Sequence, residues 1–285
     1  WMQNSKIRKM WGKFFSDTIY ARENFGVTIS DDRQVFTRAQ IDMLYRQRAM
    51  DIGVVYDRID IGIDPADHGK SEYAISCFHT TLDYMYVVSA NAFQFSKHTE
   101  TQEEFMGQIR FILDTLEKNK RYVRGTTPVY IWVESSGHWG EHLLPLIDTN
   151  SEKIHVMRGI KPQAGEKEWG CGIVKGEKIS IDYVRTFGRY LNNNRLKIYE
   201  NFFTKNPIGA EAMLSKLKAQ MMDYVINANG KYTGKEGSAK NDDLFISILM
   251  IPELIRLSNE VKGSNFNKQL FCNIDIAKYW KPLHM

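Results

Sequence analysis

The stretch IDIGIDP, residues 59–65, decides how this chain is built. Ile59, Ile61 and Ile63 alternate with Asp60, Gly62 and Asp64, the two-residue period of a β-strand, and Pro65 ends it. The strand leaves a carboxylate, Asp64, where it emerges. Outward from it, SEYAISCFHTT (71–81) and DYMYVVSANAFQF (83–95) predict two further strands joined by a short turn. Thr101 and Glu104 have the spacing of a capping box, after which Phe105, Ile109, Ile112, Leu113 and Leu116 recur at helical spacing. PVYIWVESS (128–136) predicts a fourth strand running out at Glu134, followed by a short helix near 141–148 and the strand KIHVMRGI (153–160).

The second half reads as alternating helices and strands. GEKEWGCGIVKGEK (165–178) is a glycine- and lysine-rich loop or small hairpin, followed by a helix around 180–191, a strand near 195–203 and a helix over 210–227. NGKYTGKEGSAKN (229–241) is another glycine–lysine turn region. It stops at Asp242, where the apolar helix DDLFISILMIPELIRLS begins, with Pro252 placed to kink it or end its first part. Three adjacent strands, a helix, a fourth strand and then alternation describe an α/β fold with a mixed β-sheet flanked by helices. The strict βαβ alternation of a doubly wound dinucleotide fold is absent. Residues 1–56, charged and helix-prone, are expected to be a lead-in packed on the core of a domain spanning 57–260, with 261–285 as a C-terminal extension.

Bulk properties exclude more than they select. Lys and Arg outnumber Asp and Glu by 38 to 34, a net charge of +4, which marks a nucleic-acid binder only if concentrated on one face. Cys77, Cys171 and Cys272 lie far apart without a CxxC pair, which argues against a disulfide framework or zinc knuckle and for isolated thiols in a reducing, intracellular compartment. No apolar run approaches the ~18 residues of a membrane span, so no membrane partner is expected. The basic, amphipathic N-terminus lacks an apolar signal core, and its opening Trp-Met is expected to mark a fragment junction with protein upstream.

The chemistry-bearing residues are carboxylates. Asp64 and Glu134 end apolar strands, and Asp242 and Asp243 start an apolar helix, each a place where a charged group can leave the core. If the first and fourth strands are neighbours, Asp64 and Glu134 meet at one sheet edge, and the helix start can deliver the last aspartates to it. Two hard divalent cations about 3.5–4 Å apart would need such oxygen donors to hydrolyse a phosphodiester, and without them the carboxylates would repel one another. Singly, each residue also has a plain structural reading. Asp242 fits an N-cap, Asp64 before proline a turn residue, and Glu134 a solvated strand end.

With these residues in place, the chain resembles the C-terminal nuclease domain of the large terminase subunit, the genome-packaging motor of herpesviruses and tailed phages, the herpesvirus branch more closely. The matching segments are VFTRAQIDML (35–44), IDIGIDPADHGKSEYAI (59–75), IWVESSG (131–137), GEKISIDYVRTF (176–187) and KYTGKEGSAKNDDLFISILM (231–250), in family order. The resemblance implies a ribonuclease H-like fold that cuts concatemeric double-stranded DNA with two divalent metal ions, Mg²⁺ or Mn²⁺. It implies Asp64 and Glu134 as metal ligands and the Asp242–Asp243 pair as the source of a third, Asp243 favoured but not separated from its neighbour by sequence. It implies Lys178 as a cation near the site, able to orient carboxylates or steady a phosphate. Other terminase subunits and the capsid portal would be partners, in the host nucleus for a herpesvirus-like protein or the host cytoplasm for a phage. The family's ATPase motor is not in this sequence. DPADHGKS (64–71) mimics the end of a phosphate loop, but Asp64 stands where close backbone approach requires glycine.

Two other classes compete. His138-Trp-Gly-Glu141-His142 fits the H-x-x-E-H pattern of zinc peptidases, although two glycines weaken the helix that pattern needs. A non-catalytic DNA-binding or assembly module of the same fold could use Arg158, Tyr232 and lysines 161, 167, 175, 178, 231, 235 and 240 to track phosphates. A recombinase or integrase would share the carboxylates.

Overall fold

The structure, a computed structural model, describes residues 33–46, 48, 58–65, 72–81, 83–94, 98–134, 154–157, 177–227, 232–234 and 241–256, with the backbone alone at 98–102, 154–157 and 177–180. The alternating and apolar runs form the strands β1 (Arg58–Asp64), β2 (Tyr73–Thr80), β3 (Met85–Phe93), β4 (Val129–Val133), β5 (Ile154–Met157) and β6 (Leu196–Phe203). They make one sheet in the order β5-β4-β1-β2-β3-β6. β2 runs antiparallel to β1 and β3, while β4 lies parallel to β1, β5 to β4 and β6 to β3. This is the mixed sheet that the element order predicted.

Helices cover both faces. α2 (His98–Lys118) lays Phe105, Ile109, Ile112, Leu113 and Leu116 against Ile59, Ile61, Ile63, Ile75 and Ile131. On the other face α1 (Arg38–Arg46), α3 (Glu177–Asn192), α4 (Ala210–Met222) and α5 (Asp243–Leu249) close over Ala74, Phe78, Val87, Trp132 and Ile198. Phe36, Phe187, Tyr224 and Phe245 meet edge-on at the centre of that layer, 5.0–5.8 Å apart. Val35, Phe36, Ile41 and Leu44 are buried in the core, and Gln34 bridges Val225.

Being sandwiched, β1 is buried along its whole length, polar residues included. The Asp60 carboxylate accepts from Arg58 Nε at 2.8 Å and from Trp132 Nε1 at 2.9 Å, and the Arg58 guanidinium lies 4.0 Å over the Tyr130 ring. A buried charge is tolerated only when paired and hydrogen-bonded in this way. Cys77 is also buried, and burial pushes its thiol well up, so it is no nucleophile. Cys171 and Cys272 lie outside the described residues.

Three boundaries differ from the sequence reading, at the starts of α2 and α3 and the end of α4. α2 starts at His98, so Thr101 sits inside the helix instead of capping it. The Glu104 carboxylate instead accepts from Gln108 Nε2 and Lys205 Nζ. α3 starts at Glu177, which takes Lys178 out of the predicted loop. α4 ends at Met222 because Val225–Ile226 (β7) leaves to pair with Tyr232–Thr233 (β8). The apolar helix divides into α5 and a second helical run over 251–256, which contains Pro252. The helix expected near 141–148 lies outside the described residues.

Gly62 decides how closely α5 can approach. A Cβ there would stand 2.3 Å from the Ser247 carbonyl oxygen and 2.9 Å from Ile251 Cδ1. The next strand answers the same carbonyl, since Ser76 Oγ donates to Ser247 O at 2.8 Å. Gly62→Ala should therefore cost about 1–3 kcal/mol by overpacking, read as a lower urea midpoint. A wild-type midpoint would show that α5 is not seated on β1.

His79 is buried on β2. Burial holds its imidazole well below the ordinary range, and Arg121 adds to the effect. The unfolded chain, with a histidine pKa of about 6.5, then takes up the proton first as pH falls. The contribution is present above that pH and is lost below it. Urea midpoints should drop between about pH 7 and pH 5, and less steeply in His79→Gln. Parallel pH profiles for the two proteins would exclude this assignment.

Candidate metal centre

The parallel pairing of β1 with β4 sets the centre. Ile63 is in register with Val133, and the Glu134 N–H donates to Ile63 O at 2.9 Å. Asp64 and Glu134 are therefore neighbours at the C-terminal edge of two adjacent strands. By strand alternation both belong to the face of Gly62 and Trp132, the face covered by α5. Both are buried, at 3% and 4% exposure, so neither is the solvated strand end or turn residue that each could have been singly.

The direction of α5 brings its first residue to the same corner. Ser247 sits over Gly62 and Ser76, and Asp243, one turn earlier, accepts the Glu72 N–H on its Oδ2 at 2.9 Å. Glu72 precedes β2, whose Ala74 pairs with Asp64. From Ser247 to Asp243 the helix thus runs from the middle of β1 toward its Asp64 end. Helix and strand are antiparallel.

Asp242 and Asp243 have different partners. Asp242 stands at the N-cap position of α5, but its side chain makes no capping bond. Its Oδ2 accepts instead from the Gly234 N–H at 2.8 Å. A Cβ on Gly234 would come within 2.7 Å of Asp242 Cβ, so glycine is required at that contact. The helix N–H of Phe245 is satisfied by Gln220 Oε1 at 2.9 Å. Gly234, Gln220 and Glu72 were not singled out from sequence. The only local hint was the glycine of KYTGKEG.

Two tyrosines border the carboxylates. Burial pushes the Tyr224 phenol far up, with Asp242 and Asp64 adding to it, and Tyr232 stacks on its ring. Burial does the same to Tyr183 of α3, with Glu134 and Glu253 adding. Each phenol therefore stays neutral. Lys178 is the second residue of α3, five positions before Tyr183.

The donor chemistry fits hard divalent cations: buried carboxylate oxygens from two strand ends and one helix start at one edge. Among the described residues no three His, Cys, Asp or Glu side chains close on a common metal position. His138, Glu141 and His142 of the peptidase-like motif lie outside the described residues, as do Arg158 and lysines 161, 167, 175, 231, 235 and 240. No described helix is long and apolar enough to cross a membrane.

No family model matches this sequence, and no curated protein matches it. Solved structures do. The human cytomegalovirus terminase nuclease domain aligns over 82% of this chain and 98% of its own, with a TM-score of 0.53 at 14% identity. The Mn-soaked form of that domain aligns over 82% and 97% with a TM-score of 0.52 at 14% identity. Its inhibitor-bound, Mn-soaked form aligns over 78% and 94%, with a TM-score of 0.53 at 14% identity. At such identity the likeness is one of fold. The chain has the ribonuclease H-like fold, a mixed sheet flanked by helices, as terminase nuclease domains do.

Proposed function

We propose that this chain is the nuclease domain of a viral large terminase subunit, a Mg²⁺- or Mn²⁺-dependent endonuclease that cuts concatemeric double-stranded DNA during genome packaging. The observation that carries the proposal is the burial of Asp64 and Glu134 on paired strand ends, with Asp243 approaching on α5. Carboxylate oxygens gathered at one sheet edge are the donor type that hard divalent cations take. Divalent cations are the partner class whose ligand preference matches.

Asp64, Glu134 and Asp243 would hold two such ions, and the manganese-soaked domain of like fold agrees with that class. When bound, the ions neutralise charge at a scissile phosphodiester and make a water acidic. The protein's part is to hold oxygen donors rigidly: Asp64 and Glu134 on a paired sheet edge, Asp243 on a helix pinned at Gly62. Asp242 serves the site indirectly, holding the Gly234 segment against the start of α5. Lys178 would steady a phosphate or orient a carboxylate from the first turn of α3. Duplex DNA is the substrate, read through its phosphates and so with little sequence preference and a steep loss of binding with salt. Further terminase subunits and the capsid portal would be the protein partners, in the host nucleus for a herpesvirus-like origin or the cytoplasm for a phage.

Plasmid incubated with Mn²⁺ should be cut by the wild-type protein and spared in EDTA. Asp64→Ala should lose at least about 100-fold in rate. Cleavage that survives Asp64→Ala would sink the assignment. The two helix-start aspartates should separate by readout. Asp242→Ala orphans the buried Gly234 N–H and should cost about 1–3 kcal/mol in urea unfolding. Asp243→Ala should mainly abolish Mn²⁺-dependent cleavage. The reverse pattern would exchange their roles.

A further inference from the structure

Lys216 and Gln220 lie four residues apart on α4, hence on one face of that helix. Each grips a segment that sets the Asp243 carboxylate. Lys216 Nζ pairs with Glu72 Oε1 at 2.5 Å, and the backbone N–H of Glu72 is the donor to Asp243 Oδ2 at 2.9 Å. Gln220, wholly buried, accepts the Phe245 N–H at 2.9 Å, two residues beyond Asp243. It does the capping that Asp242 does not, because the Asp242 side chain is turned to Gly234.

Glu72 and Gln220 each keep one polar atom open. Glu72 Oε2 and Gln220 Nε2 are buried and find no hydrogen-bond partner among the described residues. A core built only for stability would satisfy or omit such atoms, since a buried unsatisfied polar group is destabilising. Glu72 is also a further carboxylate beside Asp243, next to a strand paired to Asp64, where uncompensated charge would be repulsive. The Lys216 ammonium offsets that charge while tying α4 to the start of β2.

We propose that Lys216, Gln220 and Glu72 form a positioning frame for the Asp243 carboxylate, so that the α4 face tunes metal affinity without contributing the ligand. The inference rests on the reading of Asp243 as a metal ligand. Outer partners that orient ligating carboxylates typically govern metal affinity over about 10–100-fold.

The test is Mn²⁺ binding to the DNA-free protein, followed by loss of the free-ion EPR signal, for wild type, Lys216→Met, Lys216→Arg, Gln220→Met and Asp243→Ala. Lys216→Met and Gln220→Met should each weaken Mn²⁺ binding by about 10–100-fold, with rescue in Lys216→Arg. The Mn²⁺ concentration for half-maximal plasmid cleavage should shift by the same factor, while the rate at saturating Mn²⁺ changes little. If Gln220→Met fails to fold, Lys216→Met, altering a partly exposed side chain, still decides. Weakened binding in Asp243→Ala with wild-type affinity in both α4 variants would overturn the frame and leave the metal reading standing. The frame is equally overturned if the α4 variants only lower the melting temperature. Wild-type binding in Asp243→Ala would remove the metal reading at that residue, and the frame with it.

Discussion

The contact on which the rest of the molecule depends is that of Ser247 with the bare backbone of Gly62. Because residue 62 has no Cβ, α5 descends until its carbonyl meets the strand, and Ser76 hydrogen-bonds that carbonyl from β2. A helix pinned at backbone distance cannot slide or roll without breaking contacts on two strands. Everything N-terminal of Ser247 is therefore placed with the precision of the sheet, Asp243 among it. The same contact aligns the helix antiparallel to β1, which delivers its start to the strand's carboxylate end.

Around that contact the fold separates two tasks. On the α2 side the sheet is covered by aliphatic and aromatic groups from one long helix, a layer whose work is burial. On the other side several shorter helices meet, and polar residues are admitted where each has a defined partner. Asp60 has Arg58 and Trp132, Glu253 has Thr186 and Arg256, and Asp243 has the N–H of Glu72. The carboxylate corner belongs to this second layer.

A fold shared at 14% identity with a cytomegalovirus nuclease domain illustrates which features chemistry constrains. Backbone path and strand order survive wide sequence change because many side chains can fill a core. Function has to be argued from the site itself. Here the site is two buried carboxylates on paired strand ends and a third on the helix start that approaches the same edge.

Much of this was legible in the residues. A strand's period and a helix's apolar stripe are relations between near neighbours, so IDIGIDP, VYIWV and the Phe105–Leu116 stripe declared their elements, and Asp64 and Glu134 their strand ends. Local signals misled where a neighbour several residues away extended or cut an element, as at the start of α2 and the end of α4. The separation of Asp242 from Asp243 was not legible at all, since adjacent identical residues carry identical local information. One turns to Gly234, eight positions away, and the other to Glu72, 171 positions away. Sequence alone determined that carboxylates would emerge at the ends of apolar elements. Only the packing of α5 on Gly62 and of α4 on α5 decided which of them meet, because a hydrogen bond between distant segments exists only once the fold has brought them together.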